Sequence, residues 1–62
     1  MLHVNDTEKI IFDAAQKVFT IKGFSGATMD DISKEANVNK AALHYYYRSK
    51  EKLFELVYKK NY

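Results

Sequence analysis

Five side chains in one short stretch have the chemistry to meet a polyanion. If the segment is helical, successive residues turn by about 100°, and Lys40, Ala41, His44, Tyr45 and Arg48 fall on one face. Lysine and histidine donate hydrogen bonds, alanine permits close approach, and tyrosine adds a hydroxyl and a flat ring. That combination suits the edges of a DNA groove. The other face carries Leu43 and Tyr47, four residues apart, with Ala42 and Tyr46 beside them. The run Tyr45-Tyr46-Tyr47 fans over about 200°, so one core cannot take all three rings. A solvated face on which one tyrosine covers apolar surface would show the same pattern.

A second feature lies just beyond. Ser49 can cap a further helix that opens with Lys50 and has Lys52 at its third position. Positive charge at a helix N-terminus opposes the dipole by a few tenths of a kcal/mol, and Glu51 offsets only part of it. A phosphate bound there would reverse the sign, because free backbone N–H groups, the Ser49 hydroxyl and the Lys50 ammonium would meet it together. The expectation is that Lys50 anchors DNA backbone; a lysine simply in solvent is the alternative.

These groups need a scaffold, and the composition bounds it. Sixty-two residues make one domain at most, and a domain this small buries only ~60% of the surface its unfolded chain exposes. The absence of cysteine excludes a disulfide framework and a thiolate metal site. His3 and His44 share no ligand spacing, so neither metal nor cofactor is expected. The longest apolar runs, such as Ile10-Ile11-Phe12, are too short to span a bilayer or form a signal peptide; the expected location is the cytoplasm. Net charge is only +2, but it is uneven: residues 1–36 hold four lysines against six acids, and residues 37–62 hold six basic residues against two. The basic half also carries all five tyrosines. A basic, aromatic half is the footprint of a nucleic-acid binder, although ordinary scatter on a small surface gives similar numbers.

The scaffold reads as helical throughout. Asn5 or Asp6 can cap the first helix, Asn5 pairing with Glu8. Ile10, Ile11, Ala14, Ala15, Val18 and Phe19 form a broad apolar stripe at helical spacing. Gly23 is the expected terminator, with Phe24 folding back on the last turn. The first helix then covers about residues 6–22, or ~25 Å at 1.5 Å per residue, and Ser25-Gly26-Ala27 is a loop. Thr28 with Asp31 makes a capping box for a helix at about 29–36, with Met29, Ile32 and Ala36 turned inward and Asp30, Asp31, Lys34 and Glu35 able to face water. Asn37 tolerates the left-handed conformation a tight turn requires, and Val38 plugs the core. Asn39 caps a third helix at about 40–46. The fourth runs from Lys50, with Leu53, Leu56 and Val57 as one stripe and Tyr58 and Tyr62 turned elsewhere. The fold class is all-α: four helices with three short connections.

Together these residues resemble the N-terminal domain of the TetR family of bacterial transcriptional regulators. The resemblance runs from Ile10, Ala14-Ala15, Phe19 and Gly23 through Thr28, Ile32 and Ala36-x-Val38. It ends with Leu43, the aromatic run to Tyr47, and Ser49-Lys50-Glu51-x-Leu53, so nearly all of the chain is covered. It implies a three-helix bundle with a helix-turn-helix at about 28–47, plus the start of a fourth helix, and sequence-specific binding of double-stranded DNA by a regulator, most often a repressor. A ligand-binding and dimerisation domain would follow, and a homodimer would read a palindromic operator one half-site per module. It also implies roles. Thr28 would touch phosphate, Lys40, Ala41 and His44 would lie along the major groove, and Tyr45 and Tyr46 would contact backbone or bases at its edges. Lys50 would bind phosphate, and Asn39 belongs to the same DNA-binding set.

Four positions depart from the family pattern. Asn37 stands where glycine is usual, and Ala41 where a small residue, often glycine, is common. His44 replaces a usual tyrosine, so its donor capacity depends on protonation and binding should tighten as pH falls. Tyr47 stands where phenylalanine is frequent, so a buried ring must still send its hydroxyl to a partner. The competing function is a small helical protein–protein interaction module, with the outer stripe of the fourth helix as its surface. An enzyme is disfavoured: there is no glycine-rich phosphate loop, no clustered acid–base set and little room for a pocket.

Overall fold

The computed structural model describes residues 6–58. Four helices follow one another: α1 (Asp6–Gly26), α2 (Met29–Ala36), α3 (Lys40–Tyr46) and α4 (Lys50–Tyr58). No strand occurs among the described residues. The Asn5 cap and the Tyr62 end of the outer stripe lie outside them.

α1 is longer than its apolar period suggests. Regular geometry stops at Gly23, as expected, but the backbone kinks there and a further turn continues to Gly26. Gly23 has φ 76° and ψ 166°, a region essentially restricted to glycine. No atom lies within 4 Å of where a Cβ would sit, so backbone conformation, not space, requires glycine. The Gly23 carbonyl then accepts from the Ala27 N–H at 3.1 Å. Ser25 and Gly26 therefore belong to this last turn instead of forming an open loop.

The core is assembled from all four helices. Ile11, Ala15, Ile32, Leu43 and Leu53 are fully excluded from solvent, and Val57, Phe19, Val18 and Ala14 nearly so. Two stripe residues depart from expectation. Ile10 is 48% exposed and Leu56 is 43% exposed, because each stripe is wider than the groove it fills and its edge residue stays in water. Phe54 takes the place expected of Leu56. Its ring meets Phe19 edge-on at 5.1 Å, Phe24 at 4.9 Å and Tyr58 at 4.7 Å. Phe24 does fold back, with its ring 6.2 Å from Phe19, and this aromatic cluster pins α4 across the C-terminal end of α1. On the α2 side, Ser33 is buried and donates to the Asp30 carbonyl at 2.9 Å. Tyr47 is buried, and its hydroxyl reaches the Glu8 carbonyl at 3.5 Å. Burial, and then the Glu8 charge, raise the Tyr47 pKa above its ordinary 10.0.

Candidate nucleic-acid interface

The corner between α2 and α3 is built by local chemistry. Thr28 Oγ1 accepts from the Asp31 N–H at 3.0 Å, and Asp31 Oδ2 accepts from the Thr28 N–H at 3.1 Å. This reciprocal box opens α2. Asp31 also pairs with Lys22 of α1 at 3.3 Å. The Thr28 hydroxyl, then the lysine, hold its carboxyl below the ordinary 3.8. At the other end, Asn37 adopts φ 60° and ψ 42°, and its N–H bonds the Lys34 carbonyl at 3.2 Å. Val38 follows with an N–H to the Ser33 carbonyl at 3.1 Å and lies against the core. Asn39 Oδ1 accepts from the Ala42 N–H at 2.8 Å and starts α3.

α3 has seven residues, too few for an isolated helix to persist. It is held by Leu43, fully buried, and by Tyr47 just past its end, 5% exposed. Ala42 and Tyr46 are half-buried at its flanks. The outward face carries Lys40, Ala41, His44 and Tyr45, with Arg48 beyond, all exposed. Tyr45 is 81% exposed, its ring edge-on to Tyr46 at 5.1 Å. Thr28 is engaged by Asp31 twice over, its oxygen taking the Asp31 N–H and its hydroxyl holding the Asp31 carboxyl. Asn39 uses only its carbonyl oxygen and keeps both N–H donors.

Lys50 is placed differently from the other cations. Its ammonium donates to the Phe24 carbonyl at 2.8 Å and to the Ala27 carbonyl at 3.0 Å. It also lies 4.3 Å from the centroid of the Phe24 ring. Two of its three donors thus bind the α1–α2 corner immediately before Thr28. Ser49 does cap α4, accepting from the Lys52 N–H at 3.1 Å. The positive charge at this helix start is met by two backbone carbonyls and an aromatic face.

One residue of the interface escaped the reading of the sequence. Asp30, read as able to face water, is half-exposed and also bridges α2 and α3: its Oδ2 lies 3.3 Å from Lys34 and its Oδ1 3.6 Å from Lys40. The clue was available, since α3 opens on lysine with no acid in its first turn, a charge that calls for an acid from elsewhere. Among the described residues no group of His, Cys, Asp and Glu could hold a metal ion. No described helix is long and apolar enough to cross a membrane.

Two short helices joined by a tight left-handed turn, the second exposing a polar face over a buried leucine, define a helix-turn-helix module. Residues 11–57 match the family described as bacterial regulatory proteins, tetR family, and the chain belongs to that family, one of transcriptional regulators and not of enzymes. It is 48% identical over 44 residues to IcaR of Staphylococcus epidermidis, the HTH-type negative transcriptional regulator of the biofilm operon icaADBC; the match covers 71% of this chain and 24% of that protein. Its identity to IcaR of Staphylococcus aureus strain Newman is 44% over 45 residues, covering 73% of this chain and 24% of that protein. A crystal structure of a HlyIIR mutant protein with an alanine-substituted segment superposes with a TM-score of 0.88 at 39% identity, covering 95% of this chain and 33% of that one. Another HlyIIR mutant, with a linker containing two thrombin sites, gives 0.83 at 42% identity, covering 87% of this chain and 30% of that one. The chain spans about a quarter of the length of the IcaR relatives.

Proposed function

We propose that this chain is the DNA-reading module of a transcriptional repressor. The observation that carries the reading is the division of α3: Leu43 and Tyr47 are buried while Lys40, Ala41, His44 and Tyr45 stand outward together. In this proposal α3 enters the major groove, with Lys40, Ala41 and His44 facing base edges and Tyr45 and Tyr46 reaching the groove rim. Thr28 and the free donors of Asn39 meet phosphate, as does the third N–H of Lys50. The relatives' names, both negative transcriptional regulators, support repression. Their greater length leaves room for a ligand-binding and dimerisation domain that releases the operator when a small molecule binds. A homodimer would set two α3 helices about 34 Å apart, one per half-site.

Exposed Leu56 and Tyr58 on α4 favour a protein contact there. We assign it to the rest of the regulator and not to an independent protein-binding function.

The test is fluorescence anisotropy of this chain on duplexes enriched from a random pool. Log affinity should fall as log salt rises, with Lys50 and each further cation that neutralises a phosphate contributing about 0.9 to the slope. Enrichment of no sequence, with binding indifferent to salt, would overturn the proposal.

A further inference from the structure

The geometry points to Asp30 as a specificity-determining residue of the DNA interface, acting through Lys40. The inference rests on the DNA-reading proposal and deepens it.

Asp30 lies on α2, yet its carboxylate divides between two helices, one oxygen on Lys34 and the other on Lys40. Its backbone is held as well, because its carbonyl accepts from the buried Ser33 hydroxyl. The carboxylate therefore lies between the two lysines, beside the outward face of α3. Two consequences follow. The single carboxylate is shared between Lys34 and Lys40 and offsets part of the charge of each, so phosphate gains less from Lys40 than from an unpaired lysine, and the nearby carboxylate repels phosphate. Yet an ammonium has three donors, so Lys40 can stay on Asp30 and still donate to a base-edge acceptor such as guanine O6 or N7. Asp30 thus weakens contacts that any sequence offers and aims Lys40 at contacts that only some sequences offer. Discrimination by a built-in penalty against the wrong partner is a general route to specificity.

The experiment compares the wild-type chain with Asp30→Asn, Asp30→Glu and Lys40→Met. Each is titrated on the duplex enriched by the wild-type chain and on a scrambled duplex, over a salt series. Asp30→Asn should bind the scrambled duplex about three- to tenfold more tightly without gain on the enriched one. Its salt slope there should steepen by about 0.9, the value of one more neutralised phosphate. Asp30→Glu, which keeps the charge, should restore discrimination. In a Lys40→Met background Asp30→Asn should have much less effect on the slope. If the wild-type chain discriminates but Asp30→Asn changes neither the ratio nor the slope, the inference fails and the DNA reading stands. If Asp30→Asn does not fold, the slope of Lys40→Met on scrambled duplex decides. A slope unchanged from wild type supports a lysine already neutralised, and one shallower by about 0.9 refutes it. A wild-type chain without salt-dependent binding sinks both.

Discussion

Replacing Lys50 with methionine would remove an ammonium and keep the stem that lies beside Phe24. Three contacts vanish with the charge: hydrogen bonds of 2.8 and 3.0 Å to the Phe24 and Ala27 carbonyls, and the cation–π contact at 4.3 Å. A hydrogen bond to a charged group contributes roughly 1.5–3 kcal/mol. Lys50 is only half-buried, so water can reach the carbonyls it leaves, and about 1 kcal/mol each is the better figure. The ring contact adds about 0.5–1 kcal/mol. The expected loss is therefore about 2–3 kcal/mol, from a stability of roughly 3–9 kcal/mol for a domain of this size. At about 4–8 °C per kcal/mol, far-UV circular dichroism should show the melting temperature lowered by roughly 10–20 °C. A shift under about 4 °C would show that the corner does not depend on this lysine. The same variant separates scaffold from contact, because losing a phosphate partner takes about 0.9 from the salt slope whereas lost stability leaves the slope of the folded fraction alone. Lys50→Arg should recover part of the stability, since it keeps the charge but presents a planar fork.

Gly23→Ala should destabilise by about 1–3 kcal/mol although the space around it is open, measured by urea unfolding; a neutral result would mean the kink is not kept in solution. Asn37→Ala should lose about 1 kcal/mol and Asn37→Gly should lose little, since φ 60° disfavours a Cβ but not glycine. The lowered Asp31 pKa contributes stability that is present above the unfolded value near 3.8 and lost as pH falls through the lower folded value. An Asp31→Asn chain should therefore show a flatter acid limb in a melting-temperature profile taken down through pH 4. His44→Ala should weaken binding to the enriched duplex, and an affinity unchanged by anisotropy would remove His44 from the interface.

How much of this could be read in advance depended on range. Thr28 with Asp31, Asn37, Asn39 and Ser49 were legible because each cap closes within three or four residues and needs nothing from the rest of the chain. The two faces of α3 were legible because Leu43 and Tyr47 share one helical phase and the groups between them do not. Other features turn on how helices cross, which local periodicity does not encode. Lys50 finds its carbonyls 26 and 23 residues away, and both lie beyond a kink whose continuation to Gly26 no spacing rule announces. Ile10 and Leu56 have the right phase for the core and remain exposed, because the width of a groove is set by its partner helix. The tie from Asp30 to Lys40 was hidden for the same reason: its i,i+4 neighbour was visible in sequence, and its partner across the turn was not.

The short length of α3 gives the module a useful separation. A helix of seven residues cannot sustain itself, so its angle is dictated from outside: by the Asn39 cap, by buried Leu43, by Tyr47 reaching back to α1, and by Asp30 across the turn. None of the outward residues Ala41, His44 and Tyr45 belongs to the core. Substitutions at these three positions should therefore alter what the helix reads while leaving stability within about 0.5 kcal/mol. Lys40 is the exception, since it is tied to Asp30 and joins the outward face to the scaffold. A change of base preference at Ala41, His44 or Tyr45 should thus be additive with changes in the core, whereas a change at Lys40 should couple to Asp30. Four exposed positions on one helix face then divide into three that vary freely and one whose sequence choice is constrained by a neighbour on α2.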